Sequence, residues 1–330
     1  MKKILLATTM LASVAGYAAA DVSVSGDARM GVVSTEGNSV FSNRVRIKFS
    51  GSGTTDGGLS FGGSFRAKDA SSADSGTKGS TFISGAFGKI SMGDVDSGDK
   101  ASVGQISSVG YEGLGSTNSI NYVADGGSIG ETFSGDDALT APNAARVLYT
   151  YSAGAVTVNA SSAQLSNGGA NLTAYGLGAT YAAGNVTVAL GYGSADIGTD
   201  YSVDFAVTDI SAAVTYVMGD TTVKAIYQDK SGDVTVEGTD YNVVSAVTMG
   251  ASVDHKIDVV TLTAFAISTN VTSDWVGDLD VSLNRYGLGV AYDLGGGAVV
   301  KAGWAEVEGL NGDNEVASQS AFDAGVNFSF

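Results

Sequence analysis

No cysteine occurs in this chain, proline and histidine occur once each, and basic residues number 17 against 34 acidic ones, for a net charge of -17. Without cysteine there are neither disulfides nor thiolate metal sites. A single histidine, His255, cannot build a multi-histidine metal centre. It also leaves Gly58-Leu59-Ser60-Phe61-Gly62, which matches the nucleophile-elbow pattern, without the helix and histidine that such a hydrolase needs. The acidic balance argues against nucleic acid, whose phosphates demand basic patches, and against lysine-driven attachment to anionic lipid. After residue 20 no apolar run is long enough for a spanning helix. If the chain sits in a membrane it must do so as a closed barrel, because lipid satisfies no open backbone groups.

What is abundant is glycine, 47 of 330 residues. High glycine with almost no proline, in alternating sequence, fits many strands and tight turns rather than disorder. The N-terminus reads as a targeting segment: Lys2 and Lys3, the apolar stretch Ile4 to Val14, then Ala18-Ala19-Ala20 as a small-residue cleavage site. Residues 1–20 are therefore expected to be a signal peptide and 21–330 the mature chain.

From Asp21 onward the pattern has period two. Val45, Ile47 and Phe49 share one face of a segment whose other face carries Arg44, Arg46 and Lys48. Near the C-terminus Phe322, Ala324, Val326, Phe328 and Phe330 alternate with Asp323, Asn327 and Ser329. About sixteen strands of roughly 9–11 residues are expected, the length a tilted membrane strand needs. Tyr149, Tyr151, Tyr181, Tyr192, Tyr216, Tyr227, Tyr286 and Tyr292 fall near segment ends, as interfacial girdles would. The connections come in two classes sorted by parity. Short ones lie at 53–58, 153–154, 182–185, 218–220, 254–257 and 295–297. Longer polar ones lie at 34–41, 71–79, 97–144, 164–171, 196–203, 230–240, 269–282 and 307–318. Short turns on one side and long loops on the other are the mark of a transmembrane barrel.

The stretch from Ser97 to Ala144 breaks this rhythm. It is roughly 48 residues long, where ordinary connections run about 4–6. It carries Asp99, Glu112, Asp125, Glu131, Asp136 and Asp137 against one basic residue, Lys100, and holds the only proline, Pro142. It is expected to fold into the lumen and narrow it. Arg29, Arg44, Arg46, Lys48, Arg66 and Lys68 crowd the polar phase of the first three strands. A charge facing lipid at the midplane costs roughly 2–4 kcal/mol, so these belong inside. They would form a basic wall of a constriction, with Asp99, Glu112, Asp125 and Glu131 of the long segment opposite.

The opening Asp21-Val22-Ser23-Val24-Ser25-Gly26-Asp27-Ala28-Arg29-Met30-Gly31, the Arg44-Val45-Arg46-Ile47 run, Gly93-Asp94-Val95-Asp96 and the terminal Val326-Asn327-Phe328-Ser329-Phe330 together resemble the general diffusion porins of Gram-negative outer membranes, especially the short alphaproteobacterial (Rhodobacter-type) porins. The resemblance spans the whole mature chain. It implies an all-β, sixteen-stranded transmembrane antiparallel barrel whose third external loop folds inward, assembling as a homotrimer. It also implies a terminal Phe330 read by the outer-membrane assembly machinery. The Pro-Glu-Phe-Gly-Gly sequence of enterobacterial third loops is absent. The expected activity is a passive outer-membrane channel for small hydrophilic solutes and ions, without catalysis, and weakly cation-selective because carboxylates concentrated in the external loops enrich cations at the mouth. A substrate-specific porin and a structural or adhesive surface barrel are the alternatives. No cofactor is expected beyond a structural calcium ion. Asp94, Asp96 and Asp99 are its candidate ligands, although Gly98, Asp99 and Gln105 depart from EF-hand positions five, six and twelve. The acidic groups Asp196/Asp200/Asp204 and Asp274/Asp278/Asp280 read as solvated loop faces, placed to bridge lipopolysaccharide through divalent cations.

Overall fold

The computed structural model describes residues 21–68, 74–111, 114, 116–125, 146–167, 170–199, 203–236, 239–273, 279–311 and 315–330. The expected signal peptide at 1–20 lies outside them. Alternation of apolar and polar residues gives sixteen strands. They are β1 (Asp21–Thr35), β2 (Asn38–Thr54), β3 (Ser60–Lys68), β4 (Asp74–Gly85), β5 (Gly88–Gly93), β6 (Arg146–Ala153), β7 (Val156–Asn167) and β8 (Ala170–Ala183). Then come β9 (Val186–Thr199), β10 (Val203–Met218), β11 (Thr221–Val236), β12 (Thr239–Ile257), β13 (Val260–Ser273), β14 (Leu279–Gly295), β15 (Ala298–Leu310) and β16 (Val316–Ser329). Each pairs antiparallel with its sequence neighbours, and β1 pairs with β16, so the sheet is a closed barrel without edges. Closure satisfies every ladder group internally, as a lipid environment requires.

One face of the sheet is apolar and uncovered: Leu177, Leu190, Ile210 and Leu288 are all more than half exposed. A soluble protein rarely shows so large a continuous apolar surface. The opposite, polar face is the one that the stretch after β5 lies along. That stretch opens with helix α1 (Gly98–Val103) and includes a 3₁₀ turn, Val123–Asp125.

Two expectations need correction. Strand lengths run from 6 residues in β5 to 19 in β12, not a uniform 9–11. Several long connections are not loops at all. At 34–41 the ladder continues to a two-residue turn, Glu36-Gly37, with φ of 49° and 82°, the left-handed pair that a tight hairpin needs. At 164–171 and 230–240 the strands persist to Asn167 and Ala170, and to Val236 and Thr239. Backbone pairing is indifferent to side-chain polarity, so these ladders run on past the segments that alternation marks. The short turn expected at 254–257 is likewise ladder: His255 lies in β12 opposite Thr221.

Candidate functional site

Register places the cations of the first strands together. Arg29 lies opposite Arg44, Arg46 opposite Asp27, and Lys48 opposite both Ser25 and Arg66. All five fall on the polar face. Their counter-charge within the wall is Asp27: Arg46 approaches its Oδ1 to 2.8 Å, and Arg44 to 3.3 Å. Asp27 stands two residues before Arg29, on the same strand phase, so the alternation that located the arginines also marks this carboxylate.

Residues 94–125 bond to strands far apart in the sheet. Gly98 N–H donates to Ser161 Oγ on β7 at 2.8 Å, and Asn159 Nδ2 to Ser102 Oγ at 2.9 Å. Val123 N–H donates to Asp209 Oδ1 on β10 at 2.9 Å. Gln228 on β11 donates to Asp209 Oδ2 and to the Asn121 carbonyl, both at 3.0 Å. Lys224 Nζ caps the Val103 carbonyl at 2.6 Å, which helps satisfy the open C-terminal end of α1. Ser107 donates its N–H to Ser252 Oγ and its hydroxyl to Asp254 on β12. Arg285 on β14 donates to the Ser119 carbonyl at 3.0 Å. At the far end Tyr111 N–H donates to Asp323 Oδ1 on β16 at 3.1 Å, its carbonyl accepts from Asn327, and its hydroxyl reaches the Ser42 carbonyl on β2. Arg29 lies over the Tyr111 ring, 5.8 Å from its centroid. Beneath these bonds Val103, Ile106, Val109, Leu114, Ile120 and Tyr122 pack with Ala189, Ala213, Ile226, Phe265 and Ile267.

The base of the segment is held by charge. Lys100 Nζ bonds Asp125 at 2.6 Å and Asp96 at 2.9 Å. Burial opposes its ammonium form, but the two carboxylates outweigh burial and hold its pKa above the usual value. Arg146, the first residue of β6, donates to the carbonyls of Ala124, Val95 and Asp125. A polar cavity of about 660 Å³ opens here, lined by Arg66, Lys89, Asp94, Asp96, Lys100 and Arg146 among others.

Comparison with known proteins decides what this barrel is. Residues 7–313 match the family profile described as Gram-negative porin. A porin of Rhodobacter capsulatus is 36% identical over 322 residues, 94% of this chain and 100% of that protein. The chain belongs to the Gram-negative porins. A refined porin structure of 35% identity covers 94% of this chain and 100% of its own, with a TM-score of 0.73. OmpT of Vibrio cholerae, solved in a trimer form, matches at a TM-score of 0.71 over 94% of this chain and 100% of that one. At 17% identity that likeness is one of fold. As a porin the chain is a multi-pass outer-membrane protein of a channel family rather than an enzyme family. Its exposed apolar face is the one that meets lipid.

Several site expectations for this porin change with the geometry. Asp99, expected to face the arginines, is fully buried. Helix α1 turns it away from β1–β3 and into β8 and β9, where Gly176 and Gly193 flank its two oxygens. Asp125 sits on the segment but is occupied by Lys100, Arg146 and the Ser97 N–H. Glu112 and Glu131 lie outside the described residues. The three expected calcium ligands are not gathered: Asp96 pairs with Lys100, Asp99 is sunk in the wall, and among the described residues no group of three or more candidate metal ligands forms. Phe330 pairs with Gly26 through both backbone bonds, its ring against that glycine, so the last residue completes the β1–β16 seam.

Proposed function

We propose that this porin is a passive, weakly cation-selective diffusion channel for small hydrophilic solutes. In this reading the polar face of the barrel is the wall of an aqueous lumen. The segment from Ser97 is folded into it, leaving a passage between the segment and the basic strands β1–β5. The observation that carries the reading is the set of bonds from residues 98–123 to strands as distant as β2, β7, β11, β14 and β16. Selection is steric and electrostatic, with no chemistry on the solute. Across the passage Arg29, Arg44, Arg46, Lys48 and Arg66 face a segment whose base carries Asp94, Asp96 and Asp125. Unlike charges across such a gap set up a transverse field that favours dipolar solutes over apolar ones. The net charge of -17 sets the sign of overall preference, because carboxylates concentrated towards the mouths enrich cations locally. Single-channel conductance and zero-current potential in a salt gradient test this. Open channels with a cation preference that fades as salt rises are expected. Absence of conductance overturns the channel, and anion preference at low salt overturns the sign.

Two further features belong to the same reading. The trimer form of a fold relative supports a homotrimer here, packed through the first five strands and the last; crosslinking that yields monomers alone would refute it. Phe330 is proposed as the residue read by the barrel assembly machinery, and its deletion should lower the heat-modifiable folded fraction in outer membranes. Wild-type yield would count against that role.

A further inference from the structure

Beneath α1 lies a slot made by removing side chains. Gly176 on β8 and Gly191 and Gly193 on β9 face the helix: a Cβ on Gly176 or Gly193 would collide with Asp99, 2.5 Å from Oδ1 and 2.8 Å from Oδ2, and one on Gly191 would collide with Ser211 Oγ at 2.5 Å and press on Asp99 Cβ at 3.0 Å. Asp99 is fully buried, and neither of its carboxyl oxygens has a hydrogen-bond partner of good geometry. Ser97 and Ser211 are equally buried, with hydroxyls in the same condition. The Gly193 space is bounded on its other side by Asp209 Oδ1, so two buried carboxyl groups border one Cβ-sized gap. Asp209 has what a carboxylate needs: the Val123 N–H, the Gln228 amide and, opposite it on β11, Lys230. Near Asp99 stand the Ser97 hydroxyl and the first-turn N–H groups of Lys100 and of Asp99 itself, none in good hydrogen-bond geometry and together too little to offset burial. The other charges around the slot are committed elsewhere: Lys100 to Asp96 and Asp125, and Lys224 to the Val103 carbonyl. At the helix the polar groups of β7 are Asn159 and Ser161, beside glycines of β8 and β9.

We propose that Asp99 is a proton-operated latch for α1: seated in the glycine slot it holds a proton beside the Asp209 carboxylate, and losing that proton favours release of the helix from the wall.

The direction of the effect follows from linkage. Burial, and then the charge of Asp209, push Asp99 up to about 7 when seated; once released it returns towards its ordinary value of 3.8. A group whose pKa is raised in the seated state favours seating at low pH. The seating equilibrium therefore weakens by up to about tenfold per pH unit between roughly pH 4 and pH 7, and is level above that.

Because the chain has no cysteine, a single Val103→Cys reports release: Val103 is buried against the wall, and thiol labelling requires the helix to leave it. In the folded full-length porin the labelling rate, corrected for thiol ionisation, should rise about tenfold from pH 5 to pH 6 and again towards pH 7, then flatten. Asp99→Asn in the same background should label at a rate independent of pH, and Asp209→Asn should bring the plateau to lower pH. A flat profile with Asp99 intact, or an undiminished slope in Asp99→Asn, overturns the latch. Its consequence for the aperture rests on the channel reading and is measured separately, as conductance between pH 5 and pH 8. A pH-dependent labelling rate with constant conductance keeps the latch and removes α1 from the passage.

Discussion

The two sides of the barrel wall are built to opposite rules. Strands β1–β3 present long cations to the polar face, and among the described residues they meet the segment after β5 at its Tyr111 end. Strands β7–β12 present mainly glycine, alanine and short carboxylate, amide or hydroxyl groups, with Lys224 among them, and these bond the segment's backbone at many points. The difference shows how one chain holds an irregular segment in place while leaving space beside it. Where the segment docks, side chains are subtracted and the remaining short acceptors satisfy its N–H groups. On the other side long cations line the wall, with Arg44 and Arg46 paired to Asp27 and Arg29 over the Tyr111 ring.

The most damaging way to break this asymmetry is to fill the docking side. Gly193→Val puts bulk where Asp99 and Asp209 meet. Overpacking of this kind costs about 1–3 kcal/mol before any lost hydrogen bonds are counted. The barrel ladder does not depend on it, so heat-modifiable folded protein should persist while single-channel conductance changes by about twofold or more, through altered access at a constriction. Wild-type conductance in Gly193→Val would show that seating of α1 does not shape the passage.

That docking side was the least legible part of the sequence. The barrel, its parity of connections and the phase of Arg29, Arg44, Arg46, Lys48 and Arg66 all follow from period-two alternation, which survives in the sequence because lipid enforces it on one face. The role of Asp99 does not follow, because its meaning is set by strands some 80 to 110 residues away, a separation that local pattern cannot register. A signal was nevertheless present. Gly176-Leu177-Gly178 and Gly191-Tyr192-Gly193 alternate glycine with large outward residues, a face stripped of side chains, and such a face is a seat for something else. Gly287-Leu288-Gly289 repeats the device where Val109 docks. Strand ends escape the pattern for the opposite reason: beyond the lipid zone nothing enforces alternation, so ladders run on through sequence that reads as loop.

On the open side, replacing Arg29, Arg46 and Arg66 together by Ser should widen the passage and raise the cation-to-anion permeability ratio about two- to threefold at low salt, since local ion concentration follows local charge. The ladder pairs these residues make are backbone pairs and survive the change. Zero-current potentials and conductance that match the parent would mean that the arginines do not border the ion path.

The smallest effect, and the one that sharpens the comparison most, is expected from Asp27→Asn. Asp27 is the carboxylate that the basic wall holds within itself, bonded by Arg46 at 2.9 Å through both oxygens and by Arg44 at 3.3 Å. Its side chain is 39% exposed, and ion pairs this open contribute at most about 1 kcal/mol, so folded yield should hardly move. Its charge is another matter. Removing it takes from Arg44 and Arg46 the carboxylate they share, and their field reaches further into the passage. The permeability ratio should therefore shift towards anions, opposite in sign to the triple arginine variant although both alter the same wall. The shift should be clear near 0.1 M salt, where fields extend about 10 Å, and nearly gone at 1 M, where they extend about 3 Å. If the arginine variant responds and Asp27→Asn does not at either salt, Asp27 acts only by holding Arg46 in place, and the field across the passage comes from the cations and the segment alone.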